Sequence, residues 1–263
     1  MGLIWSEPFR VRFYEAEPNG RAAMPAICRY LQEAADCHCR SLGLSLSELR
    51  EAGKMWVIVR LALRVFSLPR AGDAVVVETW PTSRVDVFRA YRDFRMRSED
   101  GTLIGEAASL WLMLDAKTRR PVRMPESVLE GRHPLLVTPE PVESCALTEP
   151  EKITSQRQVR VQWRDLDVNG HANNVCYIEW ALETIPPAIR RQFQLAGLDI
   201  QFRNEVLLDQ EVTCISEQTG TAELPSFRHK LTSAEGLVLA VARTDWLAEE
   251  TSGDGCRESL ADG

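Results

Sequence analysis

Apolar and polar positions along the first half of the chain predict one helix and several strands. Apolar residues recur at helical spacing after Pro25, a residue suited to the first turn of a helix. Segments rich in valine, isoleucine and leucine predict strands, and we expect these at residues 10–15, 55–66, 74–80, 89–97 and 109–114. One helix followed by about four strands indicates an α+β unit with an antiparallel sheet.

The same order of patterns returns in the second half. Residues 159–163 predict a strand, and residues 174–185 predict a helix because their apolar members recur every three or four positions. Pro186 and Pro187 are expected to end this helix. Further strands are expected at residues 198–206, 211–216, 227–233 and 237–246.

A change in composition separates the two halves. Six of the fourteen prolines lie within residues 121–150, where few apolar residues recur periodically. We therefore predict an N-terminal domain at residues 1–120, a linker at 121–155, a C-terminal domain at 156–248 and a polar tail at 249–263.

A shift of 150 residues aligns the two halves without a gap. The stretch V-R-F-Y-E-A-E-P-N-G-R-A, which begins at Val11, then lies over V-Q-W-R-D-L-D-V-N-G-H-A, which begins at Val161. Together with the matching order of elements, this alignment indicates an internal duplication. Arg21 of the first copy corresponds to His171 of the second, so only the second copy has a residue at this position that titrates near neutral pH.

Composition and charge narrow the classes of function. A net charge of -7 argues against a general nucleic-acid binder. No apolar run approaches the length that crosses a bilayer, so we expect no membrane insertion and a cytoplasmic location. The seven cysteines include no C-x-x-C pair, which predicts reduced thiols rather than a metal site.

The densest cluster of polar side chains is D-L-D-V-N-G-H-A-N-N, at residues 165–174. Asp167, Asn169 and His171 are spaced by two, so in an extended segment they would point the same way. Asn173 or Asn174 suits the N-cap of the helix that follows, whose free N–H groups favour an oxygen that gains negative charge. The run suits hydrolysis by an activated water. A loop that only satisfies helix ends and turn amides would use the same residue types.

The stretch D-L-D-V-N-G-H-A-N-N-V-C-Y-I-E-W resembles the signature of the acyl-acyl-carrier-protein (acyl-ACP) thioesterases. In the first half, F-R-V-R-F-Y-E, M-W-V-I-V-R, D-A-V-V-V-E-T-W and L-W-L-M-L-D-A-K-T-R-R-P are similar to the same family, so the resemblance covers about residues 8–247. It implies two fused hot-dog domains, each a long helix wrapped by an antiparallel sheet. It also implies the release of fatty acid from acyl-ACP, with neither a cofactor nor a metal.

The resemblance implies roles for individual residues as well. It places the catalytic Asp, Asn and His of the family on Asp167, Asn169 and His171, and a later Glu, in the segment I-Q-F-R-N-E-V, on Glu205. Many plant members carry a Cys directly after this Glu, whereas the present chain has Val206. We therefore favour direct attack by water, with the carboxylate taking the proton either alone or together with the histidine.

The substrate implied by the resemblance is a fatty acyl chain on an acidic acyl carrier protein. The acyl chain is expected in the first domain, and Asn173 and Asn174 are expected near the substrate. Candidates to line the acyl site are either Trp56, Val57, Val59 and Leu61 or the apolar face of the first helix. Candidates to bind the carrier protein are two basic clusters, Arg119, Arg120 and Arg123 or Arg157, Arg160 and Arg164. Because a double hot-dog supplies the usual dimer within one chain, either a monomer or a homodimer is expected.

Three other functions fit parts of the pattern. A thioesterase that acts on acyl-coenzyme A would use the same carbonyl chemistry, and the salt dependence of a reaction with carrier protein would separate the two. A hot-dog hydratase or dehydratase would also place an acid or a His at a helix start, but Asp167, Asn169 and Glu205 together fit the thioesterase better. A non-catalytic sensor of acyl thioesters would need the pocket without a pair that activates water.

Overall fold

A computed structural model describes residues 4–85, 87–126 and 147–248. The predicted tail at 249–263, most of the predicted linker, and Cys145 and Cys256 lie outside the described residues. Among the described helices, none combines the length and the apolar character that crossing a bilayer requires.

The first half has a long helix, α1 (Met24–Ser41), followed by a short one, α2 (Leu46–Glu51). Pro25 lies in the first turn of α1, as predicted, and Ser45 caps α2 by accepting from the N–H of Glu48. The strands of this half are β1 (Trp5–Arg10), β2 (Lys54–Val65), β3 (Ala74–Val85), β4 (Arg89–Ser98) and β5 (Leu103–Asp115).

The second half repeats this order. Its helices are α3 (Asn174–Leu182) and α4 (Pro187–Gln192). Its strands are β6 (Ser155–Arg160), β7 (Phe193–Phe202), β8 (Glu211–Gln218), β9 (Ser226–Ser233) and β10 (Val238–Ala248).

The ten strands form one antiparallel sheet in the order β1-β3-β4-β5-β2-β7-β10-β9-β8-β6. Each half contributes five adjacent strands, and the order within one half mirrors the order within the other. The halves join where β2 pairs with β7, and Arg60 of β2 binds both carboxylate oxygens of Asp199 on β7 at 2.8 and 2.7 Å. The α+β class and the repeated order of elements are thus confirmed.

The helices α1 and α3 pack against the sheet and against each other. α1 contacts β3, α3 contacts β8, and one continuous apolar core spans both halves. The helices contribute fully buried side chains such as Ile27, Leu31 and Ile178. Burial of a side chain of this size stabilises the fold by about 1.5–3 kcal/mol. This shared core fixes the start of α3 relative to the first half of the chain.

Two of the predicted strands begin and end elsewhere. β1 ends at Arg10, and residues 13–15 form a 3-10 helix where the sequence predicted a continuing strand. β6 ends at Arg160, and Trp163–Asp165 again forms a 3-10 helix. In each case a carboxylate three residues ahead binds the backbone, Glu15 at the N–H of Arg12 and Asp165 at the N–H of Gln162, both at 2.8 Å. These side-chain contacts turn the chain out of the strand.

The second predicted helix is shorter than expected, and the strand after it lies earlier. α3 ends at Leu182, and Pro187 starts a new helix instead of only ending the previous one. β7 occupies Phe193–Phe202, whereas the prediction was residues 198–206. The chain after Phe202 leaves the sheet, and this departure brings Glu205 to the site.

Candidate active site

A tight turn carries Asp167, Asn169 and His171. The Asp167 N–H donates to the His171 carbonyl at 2.7 Å, and the Gly170 N–H donates to the Asp167 carbonyl at 3.0 Å. Gly170 adopts a φ of 79°, in the left-handed region that favours glycine. The expectation of an extended segment with three side chains pointing the same way is therefore wrong.

The Asp167 carboxylate shapes this turn. Its Oδ1 accepts from the N–H groups of Asn169 at 2.8 Å and His171 at 3.3 Å, and its Oδ2 accepts from the side-chain amide of Asn169 at 3.2 Å. An aspartate that binds the backbone two residues ahead is a common way to hold a turn. Asp167 therefore orients the residues around it, His171 included.

Glu205 lies beside His171, with 3.2 Å between its Oε2 and the Nε2 of the imidazole. The segment after β7 runs along the turn, where the Ala172 N–H donates to the Val206 carbonyl at 3.0 Å. Val206 is fully buried and anchors this segment in the core. An imidazole and a carboxylate in contact can pass a proton between them. The structure thus brings together all four side chains expected to be catalytic: Asp167, Asn169, His171 and Glu205.

An arginine of the first half completes the contact around Glu205. Arg119 follows β5, and its Nη2 contacts the Oε2 of Glu205 and lies 3.5 Å from the Nε2 of His171. Its Nη1 lies 2.8 Å from the Sδ of Met55 on β2. The sequence indicated Arg119 only as a member of a basic cluster for the carrier protein.

A second arginine of the first half holds the turn from the other side. Arg50 of α2 donates through Nη2 to the Val168 carbonyl at 2.7 Å and to the Oδ1 of Asn169 at 3.2 Å. Since the amide nitrogen of Asn169 donates to Asp167, this side chain is held at both ends. Arg50 lies 119 positions from Asn169 along the chain. No local pattern in the sequence could have revealed the contact.

The start of α3 leaves one backbone donor open. Asn173 is the N-cap: its Oδ1 accepts from the Val175 N–H at 2.9 Å, and its carbonyl accepts from the Cys176 N–H at 2.9 Å. Among the described residues, the N–H of Asn174 has no acceptor. This donor, with the positive end of the helix dipole, favours an oxygen that gains negative charge.

A cavity lies between the two halves, beside this helix start. Its volume is small, about 30 Å³, which is roughly the space that one water molecule occupies. Its walls are mainly apolar and come from α1, α3 and the sheet. The lining residues are Cys28, Leu31, Gln32, Ile58, Leu61, Phe94, Ser109, Trp111, Asn174, Val175, Ile178 and Phe202.

Of the four residues of β2 expected to line the acyl site, three do not line this cavity, whereas the first helix, the alternative, contributes to its wall. The strand β2 contributes Ile58 and Leu61 to the lining, and not Trp56, Val57 or Val59. Trp56 packs on a separate apolar cluster below α2, and Val57 is half-buried on the same strand. A role for Trp56 and Val57 in substrate binding stays a prediction.

The cysteines do not meet the requirements of a nucleophile. Cys176 and Cys214 are buried, and burial raises the pKa of each thiol to about 12. Cys176 contacts the Asp165 carbonyl at 3.5 Å rather than His171. Because the thiolate is the reactive form, neither residue is suited to attack a carbonyl near neutral pH.

The first copy keeps the turn but lacks the reactive pair. The Glu17 N–H donates to the Arg21 carbonyl at 2.8 Å, and Gly20 has the same φ of 79° as Gly170. Arg21 forms a β-bridge with Arg70, and His171 forms the matching bridge with Leu207, so Arg70 corresponds to Leu207. Two residues earlier along the chain, Leu68 therefore corresponds to Glu205. The duplication therefore preserved a scaffold and left the acid and the imidazole in one copy only.

Two long helices on one antiparallel sheet, with polar groups at the start of the second helix, define a double hot-dog protein. The chain matches the family models described as "Acyl-ACP thioesterase N-terminal domain", at residues 2–131, and "Acyl-ACP thioesterase C-terminal domain", at residues 148–248. The chain belongs to the acyl-ACP thioesterase family.

Relatives and solved structures agree with this assignment. The chain is 32% identical to a palmitoyl-acyl carrier protein thioesterase of Gossypium hirsutum, over 93% of this chain and 64% of the relative. It is 30% identical to a dodecanoyl-[acyl-carrier-protein] hydrolase of Cinnamomum camphora, over 93% of this chain and 68% of the relative. The chain thus spans about two thirds of the length of these relatives, 64% and 68%.

Among solved structures, the 12:0-ACP thioesterase of Umbellularia californica matches with a TM-score of 0.85 and 25% identity, over 94% of this chain and 95% of that one. An acyl-ACP thioesterase of Bacteroides thetaiotaomicron matches with a TM-score of 0.83 and 21% identity, over 93% of this chain and 98% of that one. These matches confirm the predicted pair of fused hot-dog domains.

Proposed function

We propose that this protein hydrolyses acyl-ACP thioesters by direct attack of water. The observation that carries the proposal is the contact between His171 and Glu205, in the turn that leads into the helix start at Asn174. Glu205 takes a proton from the water, and His171 shares it, while the oxygen of the water bonds to the thioester carbon. The carbon–sulfur bond then breaks, the thiol leaves with the proton, and the fatty acid remains.

The start of α3 would stabilise the tetrahedral intermediate of this reaction. Attack on the carbonyl places a negative charge on its oxygen, and the Asn174 N–H, at the positive end of the helix dipole, is a candidate donor for that charge. One well-placed donor of this kind contributes about 3 kcal/mol to the stability of the transition state. Asn174 also lines the small apolar cavity, so a thioester at this donor would direct its acyl chain toward these walls, which have to move apart to admit it.

The carrier protein is the proposed partner on the outer side of the site. Support comes from the exposed arginines of the two predicted clusters and from the relatives, whose names specify acyl carrier protein substrates. The exposed candidates are Arg120, Arg123, Arg157, Arg160 and Arg164. Since an acyl carrier protein is acidic, these charges would speed its association. A cytoplasmic location and a monomer or homodimer remain parts of the proposal.

A thioesterase specific for acyl-coenzyme A is the second candidate, because the catalytic groups touch only the thioester. The two differ in the part of the substrate that contacts the protein surface. Carrier protein presents many acidic groups to the arginines, so its reaction weakens as salt screens the charges. Coenzyme A is small and presents fewer acidic groups, so its reaction should depend less on salt.

The test is thiol release from acyl-ACP and acyl-coenzyme A thioesters of several chain lengths, each at low and at moderate salt. The Glu205→Gln protein is the control. We expect fast, salt-sensitive release from carrier protein that depends on Glu205. Preference for acyl-coenzyme A at both salt levels would establish the second candidate. Tight binding of the thioester without release would contradict an enzymatic function.

A further inference from the structure

Arg119 joins the reactive pair from the opposite half of the molecule, and the inference that follows rests on the proposed function. Its Nη2 contacts the same carboxylate oxygen, Oε2 of Glu205, that lies 3.2 Å from His171. Within the described residues, no hydrogen bond or ion pair involves the other oxygen, Oε1. The two neighbours therefore fix one oxygen of the carboxylate and leave the other open to water.

The backbone at Arg119 is built to hold this position. The turn at residues 115–120 closes through the Arg119 N–H, which donates to the Asp115 carbonyl at 2.9 Å, and through the Asp115 N–H, which donates to the Arg120 carbonyl at 2.9 Å. Asp115 Oδ1 also accepts from the Thr118 N–H at 2.7 Å. In this turn Arg119 has a φ of 58°, which favours glycine and is unfavourable for a long side chain.

Unfavourable backbone angles cluster at functional sites, so an arginine held at this φ beside Glu205 is a candidate for a functional role. Stability does not explain the arginine, because the side chains of Arg119 and Glu205 are 41% and 40% exposed. Ion pairs in such surroundings contribute little to folding. The contact with the Sδ of Met55 further restricts the guanidinium.

We propose that Arg119 is a positioning residue for the hydrolysis: it holds Glu205 so that Oε2 stays at His171 and Oε1 faces the attacking water. The active site is then composite, with the reactive pair from the second half and its positioning group from the first. A guanidinium suits this task because it is planar and binds a carboxylate in a fixed direction.

Docking of the carrier protein is the competing role for this arginine. A docking residue would act on KM, and only with carrier protein. A positioning residue acts on kcat with every thioester that the enzyme accepts, because the geometry of the carboxylate is the same for all of them.

The experiment compares Arg119→Gly with wild type and with Lys117→Ala, which removes a charge from the same turn without reaching Glu205. Glycine suits the backbone angle, so the variant keeps its melting temperature. We expect kcat to fall roughly tenfold to a hundredfold with both acyl-ACP and acyl-coenzyme A, since small misplacements of reacting groups cost this much. Millimolar guanidinium should restore part of kcat, urea at the same concentration should not, and Arg119→Lys should retain an intermediate rate.

Provided that the wild type and Lys117→Ala are active, any of three results would contradict a positioning role for Arg119. These are an unchanged kcat in Arg119→Gly, a change confined to the KM for carrier protein, and equal effects of guanidinium and urea. A wild type that releases thiol from no thioester would instead contradict the proposed function. The two failures are therefore distinguishable.

Discussion

His171 and Glu205 have no chemical equivalent in the first copy, where Arg21 and Leu68 occupy the matching places. An arginine does not release its proton near neutral pH, and a leucine has none to exchange. The titratable pair of the second copy is therefore absent from the first, which also has Ala23 in place of the capping Asn173. Their neighbours, the turn and the helix start, occur in both copies.

Replacement of either member of the pair tests this assignment. We expect His171→Ala and Glu205→Gln each to lower kcat by on the order of a hundredfold or more, because each removes a group that moves a proton. Circular dichroism should show an unchanged fold, since both side chains lie at the edge of the core. Cys176→Ser is the matched control and should keep near-normal kcat. Normal turnover in either pair variant would remove that residue from the mechanism.

His229 gives the stability a dependence on pH. It is fully buried between Thr184 and Thr244, with contacts of 3.3 and 3.0 Å, and burial lowers its pKa to about 3 from 6.5. Between these values the unfolded chain binds a proton and the folded chain does not, so stability falls as the pH is lowered through this window.

The size of this effect can be measured with His229→Gln. From about pH 7 to about pH 5, the histidine should remove on the order of 2 kcal/mol from the free energy of unfolding. Urea unfolding at the two pH values should show a smaller loss in the variant than in the wild type. The variant keeps part of the loss because burial also lowers the pKa of His38, to about 4. Equal losses in both proteins would contradict the assignment.

At the scale of single elements, the turn before α3 has a matched partner before α1. Gly170 and Gly20 both have a φ of 79°, and a Cβ at either position would meet no close contact. Alanine at each should therefore cost a similar free energy of unfolding, about 1 kcal/mol, from the backbone alone. Only Gly170→Ala should lower kcat, because only that turn carries His171. Equal kcat in the two variants would show that the turn does not position the chemistry.

The individual elements also show how much of the fold can be predicted from the sequence. The apolar spacing predicted α1 near Pro25, and the alignment of the two copies predicted the repeated order of strands. The 3-10 helices at Phe13–Glu15 and Trp163–Asp165 were missed because single carboxylate contacts turn the chain, and such contacts leave no periodic signal. The family resemblance indicated Glu205. The contacts of Arg119 and Arg50 with the site could not be predicted, because they depend on how one half packs on the other.

At the scale of the whole molecule, the two halves form one folding unit. The sheet is continuous from β2 to β7, and one apolar core contains residues of both long helices. The Arg60–Asp199 pair crosses the same junction. A chain with one core and no separable sheet should unfold in one cooperative step. Calorimetry should show a single transition whose calorimetric and van't Hoff enthalpies agree, and two resolved transitions would contradict this.

The composite site follows from the same arrangement. Arg50 and Arg119 come from the first half, and the turn and Glu205 come from the second. The contacts that Arg50 and Arg119 make with the turn and with Glu205 exist only when both halves are docked, so both copies contribute side chains to the one candidate site.

The most direct test of direct water attack is a rapid-quench measurement on the wild type with excess enzyme over acyl-ACP. The released thiol and the free fatty acid are quantified at each time, and the mass of the protein is measured in the same samples. Thiol and acid should appear together at one rate, with no change in protein mass. A burst of thiol ahead of the acid, with the protein heavier by one acyl group, would contradict the mechanism and establish a covalent intermediate.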